Sequence, residues 1–323
     1  MLAEALDLDI SSVSKALNNK LDIGEDTRDR VNKMAAELGY RPNLLAKSLS
    51  QQKTNMLGIL VPDISLSFYV KVLRGIFEEA ERLAYMPILL ISDERPELEK
   101  KNLEFLASLR VDGILINPTQ GNNNSELIKN ILGQGIPFVC FDRTIPSLNI
   151  SAVTNDNGMA SYDLTTKLIR LSRRSILYLG PTANLSVAED RLLGYQKALS
   201  DNNILINKDL ILDCQLNEID SYAKVKELIF NGHIPDGIIC MGGLVALGAG
   251  KAILEAGLKI PEQVLLAEFG DNDIVSKLGV PFISVDQSPF DIGTKAVEVL
   301  ASKINGHSEE SKPTYIPYYL REC

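Results

Sequence analysis

Residues 11–43, SSVSKALNNKLDIGEDTRDRVNKMAAELGYRPN, predict a short polar helix, a turn, a charged amphipathic helix and a Gly-Tyr-Arg-Pro-Asn stop. Asp9 stands where its carboxylate can accept from the free N–H groups that open the first of these helices, the role of an N-cap. Val13, Ala16 and Leu17 recur at helical spacing and face inward, while Ser11, Ser12, Ser14, Lys15 and Asn18 project from the other side. Short hydroxyl side chains let a helix sit deep in a major groove. Ser can bond base edges or phosphates, and Lys can address guanine O6 and N7. The preceding Leu2-Ala3-Glu4-Ala5-Leu6 is a good helix former and fits the first helix of a helix-turn-helix. Val31, Met34, Ala35 and Leu38 form the apolar stripe of a third helix, which Gly39 ends. A small helical bundle with a polar face would share parts of this pattern. The fixed order of elements favours a DNA reader joined to a larger sensor.

At 323 residues the chain is too long for one ordinary domain, so two or three are expected. Its net charge of −9 argues against a protein that coats nucleic acid throughout, and fits an acidic body with a small DNA-binding head. Cys140, Cys214, Cys240 and Cys323 lie far apart without C-x-x-C spacing, and Cys140 and Cys240, in apolar runs, read as reduced core residues of a cytoplasmic protein. The absence of a signal peptide or an apolar run of membrane-spanning length points the same way, and counts against a periplasmic solute-binding protein.

After the polar patch 50–55, short runs rich in Val, Ile and Leu (MLGILV, MPILLIS, GILI, PFVCF, SILYLG, LILD, GIIC, VLLAEF, FISV) alternate with amphipathic stretches at 69–84, 98–109, 157–171, 188–202 and 244–256. This alternation predicts an α/β body of doubly wound parallel sheets covered on both faces. The body is long enough for two lobes, with a ligand cleft at the carboxyl ends of the strands.

Four blocks, SVSKALN, TRDRV, LGYRPN and AKSL, occur in the order and at the distances of T-V-S-R-x-L-N, T-R-x-x-V, L-G-Y-x-P-N and A-x-S-L. By these blocks the chain resembles the lactose-repressor-type (LacI/GalR) family of transcription regulators, and the likeness continues over nearly all of it. The resemblance implies a helix-turn-helix headpiece with a hinge helix over residues 1–50, and a periplasmic-binding-protein-like effector and dimerisation body over 51–323. It places crossovers near 155, 285 and 307, giving lobes of about 56–155 plus 286–306 and about 156–285 plus 307–323. Ile10, Ser11 and Lys15 fall on base-reading positions; Ser12, Ser14, Asn18, Thr27, Tyr40 and Asn43 fall on backbone-positioning ones. Residues 43–51 resemble the hinge helix, where Lys47 adds positive charge and Leu49 matches a leucine wedged into the minor groove.

In the body, PDISLSFY at 62–69 is similar to the family's PDISNPFF, so Phe68 and Tyr69 match cleft residues. Asp156 matches an acid near the pocket, and Arg191 an arginine that anchors sugar hydroxyls or a carboxylate, a task suited to its planar, permanently charged fork. Asp271 is the nearest candidate for the effector-binding acid.

The chain departs from the family in five places, one of them Glu268-Phe269-Gly270-Asp271-Asn272, which stands for the family's Gly-Phe-Asp-Asp/Asn. Met1 falls about where an Asp that caps helix one would stand, so the first turn is missing; either the true start lies upstream or the headpiece is less stable than its relatives. Residues 1–55 carry eight cations and eight acids, so the head is neutral, although only cations occur from Gly39 to Asn55. Weak non-specific DNA binding is expected. Gly242-Gly243 replaces the family's Asn-Asp. Leu185 and Val187 stand where relatives carry polar contacts, which predicts a pocket with fewer polar anchors.

Enzyme chemistry has little support. His233 and His307 stand beside no recognisable nucleophile or acid, and the Gly cluster 242–250 does not follow G-x-G-x-x-G. The expected protein is a dimeric, ligand-responsive repressor without cofactor or metal, binding pseudo-palindromic operator DNA and a small effector such as a sugar or sugar derivative. The second reading is a small-molecule-binding protein of the same descent whose shortened head no longer binds DNA.

Overall fold

A computed structural model of the chain describes residues 2–17, 22–39, 53–121, 124–270, 272–307 and 312–323, apart from the side chains of Glu4, Ile10, Ser14 and Asn272. The chain divides into two compact units, Met1–Thr54 and Asn55–Cys323.

Among the described residues of the first unit three helices, α1 (Leu2–Leu6), α2 (Ile10–Leu17) and α3 (Glu25–Glu37), enclose one small core. Leu2, Leu6, Val13, Ala16, Val31 and Ala35 are its buried members, with Leu8 and Leu17 packed against them. Leu8 and Val13 bracket the start of α2, the arrangement of a hydrophobic staple. The expected stripe of α3 holds for Val31, Met34 and Ala35 but not for Leu38, which is 44% exposed because the helix has ended there. Gly39 follows at φ 60°, a left-handed turn that glycine adopts without strain.

The second unit contains two six-stranded sheets, with strand orders β11-β5-β4-β3-β1-β2 and β12-β10-β9-β8-β6-β7. The first sheet uses β1 (Met56–Val61), β2 (Met86–Ile91), β3 (Gly113–Ile116), β4 (Phe138–Phe141), β5 (Ser151–Thr154) and β11 (Pro313–Tyr315). The second uses β6 (Ile176–Leu179), β7 (Ile211–Leu212), β8 (Gly237–Cys240), β9 (Leu265–Phe269), β10 (Ile283–Asp286) and β12 (Tyr319–Glu322). All pairings are parallel except β10 with β12.

Side-chain alternation along each strand feeds two cores, one per face. In β1, Leu57, Ile59 and Val61 pack beneath α4 (Ser67–Arg82) and α12 (Pro289–Ile304), while Leu60 meets α5 (Pro96–Ser108) and α6 (Ser125–Gly133) on the opposite face. The second sheet is covered by α7 (Asn157–Arg170) and α8 (Ser186–Asp201) on one face, and by α9 (Glu218–Phe230) and α10 (Gly243–Glu255) on the other. A four-residue helix, α11 (Asn272–Val275), follows β9. Burial on both faces explains why these strands read as continuous apolar runs. The α4–α12 contact is close enough that a Cβ on Gly293 would sit 2.0 Å from the Val72 carbonyl oxygen.

The chain crosses between the lobes after β5, after β10 and between β11 and β12. The first two crossings fall near the expected 155 and 285. The third does not fall near 307: Pro313–Tyr315 pairs in parallel with Ala152–Thr154, and the Ile316 N–H donates to the Thr154 carbonyl at 2.8 Å. The first lobe therefore runs on to Ile316, because β11 supplies the partner that the free edge of β5 requires.

Asn155, 4% exposed, fastens the three crossings to one another. Its Nδ2 donates to the Gln287 carbonyl at 3.1 Å and to the Ile316 carbonyl at 2.9 Å. Replacing it by Leu strands two buried acceptors, and Asn155→Leu is expected to lower the unfolding free energy by about 2–3 kcal/mol in urea titrations. An unchanged midpoint would show that the crossings are held by other contacts.

Candidate DNA-reading helix and effector cleft

In the first unit Asp9 caps α2 as the sequence requires. Its carboxylate accepts from the Ser12 N–H at 2.8 Å, from the Ser12 hydroxyl at 2.6 Å and from the Ser11 hydroxyl at 2.6 Å. These three bonds, the Ser11 hydroxyl first, hold the Asp9 carboxyl well below the usual carboxylate range. Each serine hydroxyl has one proton, and both protons point at Asp9, so Ser11 and Ser12 meet a new partner as donors only by releasing it. Lys15 is about half exposed and its Nζ lies 2.7 Å from Asp22 Oδ2, the chief cause of its raised pKa. Thr27 sits half-buried in the first turn of α3. Asn18, Tyr40, Asn43, Lys47 and Leu49 lie outside the described residues, as do the side chains of Ile10 and Ser14.

The cleft of the second unit is built at the carboxyl ends of the parallel strands, where such folds place their ligands. Asp142 and Arg143 follow β4, Met241 and Gly242 follow β8, Phe269 ends β9 and Gln287 follows β10. Helix starts complete it: Leu66, Phe68 and Tyr69 at α4, and Leu185, Val187, Ala188 and Arg191 at α8. It encloses roughly 630 Å³, part of it open to solvent, in the usual range for small-molecule sites. Three of the expected effector residues, Phe68, Tyr69 and Arg191, are brought together here. Asp156 is not in that lining: its exposed carboxylate caps α7, accepting from the Met159 N–H at 2.9 Å, and it borders an adjoining pocket with Asp190. Asp271 lies outside the described residues.

Arg191 is 6% exposed, and its guanidinium carbon stands 3.9 Å from the centroid of the Phe269 ring. Its Nε donates to Asn157 Oδ1 at 2.8 Å and its Nη2 donates to Gln287 Oε1. Burial lowers its pKa, opposed chiefly by Asp142. Arg143, also buried, is neutralised by Glu94 at 2.7 Å and donates to the Pro118 carbonyl at 3.1 Å. Burial raises the pKa of Asp142, against the pull of Arg143 and Arg191, while Asn117 Nδ2 donates to one of its oxygens at 3.1 Å. Asn157 Nδ2 donates to Thr154 Oγ1 at 3.3 Å, and Thr154 Oγ1 donates to the Asp142 carbonyl at 2.7 Å. The cleft arginine thus joins, through Asn157 and Gln287, the same crossings that Asn155 fastens.

Sequence reasoning missed Asn155, Asn157, Gln287, Asp142 and Arg143. Asp142-Arg143 carried a usable signal, a charged pair directly after the apolar FVCF run, where the strand end opens on the cleft. Among the described residues no group of three or more His, Cys, Asp or Glu could hold a metal ion, and no helix is long and apolar enough to cross a membrane. All four cysteines are free, and Cys140, Cys214 and Cys240 are buried.

A two-lobed α/β body with a ligand-sized cleft, preceded by a three-helix unit with a polar second helix, defines a class of sensor proteins. Residues 54–322 match the family of periplasmic binding proteins and sugar binding domain of the LacI family, and residues 9–43 match the bacterial regulatory proteins of the lacI family. HTH-type transcriptional regulator RegA of Clostridium saccharobutylicum is 30% identical over 316 residues, covering 98% of this chain and 94% of that protein. Catabolite control protein A of Staphylococcus aureus (strain MRSA252) is 28% identical over 317 residues, covering 96% and 93%. The lac repressor dimer bound to operator and the anti-inducer ONPF shares the fold with a TM-score of 0.88 at 21% identity, over 99% of this chain and 96% of that one. The chain belongs to the LacI family of bacterial regulatory proteins.

A depressed carboxylate contributes stability that is present above its unfolded pKa and lost as pH falls through the folded one. For Asp9 that contribution is complete above about pH 4 and declines below it. Hydrogen exchange should therefore show α2 protection falling in acid in the parent chain and already low at neutral pH in Asp9→Ala. Asp9→Asn, which can still cap, should keep protection at all pH values. Acid-insensitive protection in the parent would remove Asp9 from this role.

Proposed function

We propose that the protein is a cytoplasmic, ligand-responsive transcription repressor. It binds a pseudo-palindromic operator as a homodimer through residues 1–50 and senses a small molecule in the cleft of residues 51–323. The observation that carries this reading is the pairing, in one chain, of a capped α2 bearing exposed Ser11 and Lys15 with a body whose cleft holds a buried guanidinium. Kinship with RegA, a transcriptional regulator by name, supports it, and the match of residues 9–43 weighs against a binding protein that has lost its reader. No catalytic role is assigned to any residue.

In this reading α2 enters the major groove, with Ile10, Ser11 and Lys15 on base edges and Ser12, Ser14, Asn18, Thr27, Tyr40 and Asn43 positioning the backbone. Two heads on one two-fold axis match the symmetry of the operator. Lys47 and Leu49 act in the hinge, Leu49 as a wedge between base steps. Effector binding favours one arrangement of the lobes over another and so shifts the population able to hold DNA. Phe68, Tyr69 and Arg191 hold the effector, and Asp271 and Asp156 are secondary candidates beside the cleft.

Lys15→Ala is expected to weaken specific-site binding by about tenfold to a hundredfold and to relax preference at one base position. Asp22→Asn should act in the opposite direction, since it frees Lys15 and removes a negative charge that the phosphates would meet. Quantitative gel shifts on randomised half-sites measure both; uniform weakening over all sequences would reduce Lys15 to a phosphate contact.

For Leu49→Ala, ligand binding and thermal stability are expected to stay near those of the parent while operator affinity and DNA bending fall. Changing the central base step should then have little further effect, because both changes remove one interaction. A mutant that binds and bends DNA like the parent would overturn the hinge assignment.

A further inference from the structure

The cleft has an electrostatic character that its apolar walls conceal. Among the described residues no carboxylate stands within ion-pair distance of the buried Arg191, whose Nε and Nη2 donate to the neutral oxygens of Asn157 and Gln287. The other lining cation, Arg143, is already neutralised by Glu94. Asp142 is the one acid among the described lining residues, and burial favours its uncharged form. A buried, unpaired guanidinium costs stability unless something compensates it.

Three helices of thirteen residues or more also begin at this cleft. Their N-cap residues, Leu66 for α4, Leu185 for α8 and Gly242 for α10, all line it, and none supplies a side-chain cap. Each start presents backbone N–H groups and the positive end of a helix dipole. Natural helices usually satisfy these groups with Ser, Thr, Asp or Asn. Here Leu and Gly leave them to whatever enters the cleft.

We propose that the effector carries an anionic group, a carboxylate or a phosphate, held between the Arg191 guanidinium and the uncapped start of α10. The proposal rests on the reading of the body as an effector sensor and narrows it. Gly242 lets the anion approach the backbone closely, and Arg191 supplies the balancing charge. The rest of the ligand presents an apolar face to Leu66, Leu185, Val187 and Met241. Asp142, when uncharged, can both donate to and accept from a ligand hydroxyl.

The test is thermal unfolding of the full chain at fixed ionic strength, chloride being exchanged for inorganic phosphate. D-glucose, D-glucuronate and D-glucose 6-phosphate run as a matched neutral, carboxylate and phosphate set. Phosphate in the tens of millimolar range is expected to raise the midpoint by about 2–4 °C. At least one anionic sugar should exceed glucose, and which one does so separates a carboxylate site from a phosphate site. Arg191→Gln should abolish the phosphate shift. Because Arg191 is buried and its loss can disturb folding, Gly242→Asp provides a second variant. A Cβ there meets nothing within 4 Å, and the new carboxylate caps α10 itself. Its midpoint without ligand should equal or exceed that of the parent, and its phosphate shift should vanish. No phosphate shift in the parent, or an equal shift in both variants, would overturn the proposal. Stabilisation by glucose alone would overturn it too, while leaving the sensor reading intact; selective operator binding by the same protein tests that reading separately.

Discussion

One buried amide ties the crossings of the body to one another. The chain must pass between the lobes three times, and each passage leaves backbone carbonyls that no strand can satisfy. Asn155 spends both of its N–H bonds on two of them, at Gln287 and Ile316, from its own place on the first passage. All three segments are thereby tied at one point between the lobes. The same tie reaches the ligand site, because Gln287 gives its backbone carbonyl to Asn155 and its side-chain oxygen to Arg191. Cleft and crossings thus share one residue, Gln287.

The small N-terminal unit depends on a different economy. Among its described residues the core has six buried side chains, two of them alanines, which is little apolar area for three helices. Local bonds at helix ends then matter more than they would in the body. Asp9 meets that need by gathering Ser11 and Ser12, the two hydroxyls that a DNA reader would also use. Lys15 is likewise engaged with Asp22. In the free protein these side chains are therefore tied to its own acids, and a duplex read through them would have to compete. Such competition would lower affinity for any duplex and leave discrimination to the bases that offer the better partners.

The strands of the body were legible because runs such as GIIC and VLLAEF are buried on both faces and so carry unbroken apolar character. The SAVT of β5 was not, since a four-residue strand of small and polar residues gives little signal. In the cleft, Arg191, Phe68 and Tyr69 could be found because they lie in recognisable local blocks. Asn155 could not, because its partners are 132 and 161 residues away and nothing local announces that they meet. The misplaced third crossing has a related cause. The polar stretch after α12 resembles a passage between lobes, but β11 still belongs to the first sheet, and only the open edge of β5 explains why.

The late return of α12 and β11 to the first lobe has a bearing on how the protein is made. As the chain leaves the ribosome, the first five strands are complete by residue 154, yet the helix that shares their inner face with α4 begins only at Pro289. During that interval Leu115, Val139, Phe141 and Val153 lack part of their cover. Nearly the whole second lobe, by contrast, emerges as one uninterrupted segment from Asn157 to Asp286 and waits only for the antiparallel strand β12. The lobe whose strands come second in the chain is therefore the first that can come close to finishing its fold, while the sheet of the first lobe waits for α12 and β11.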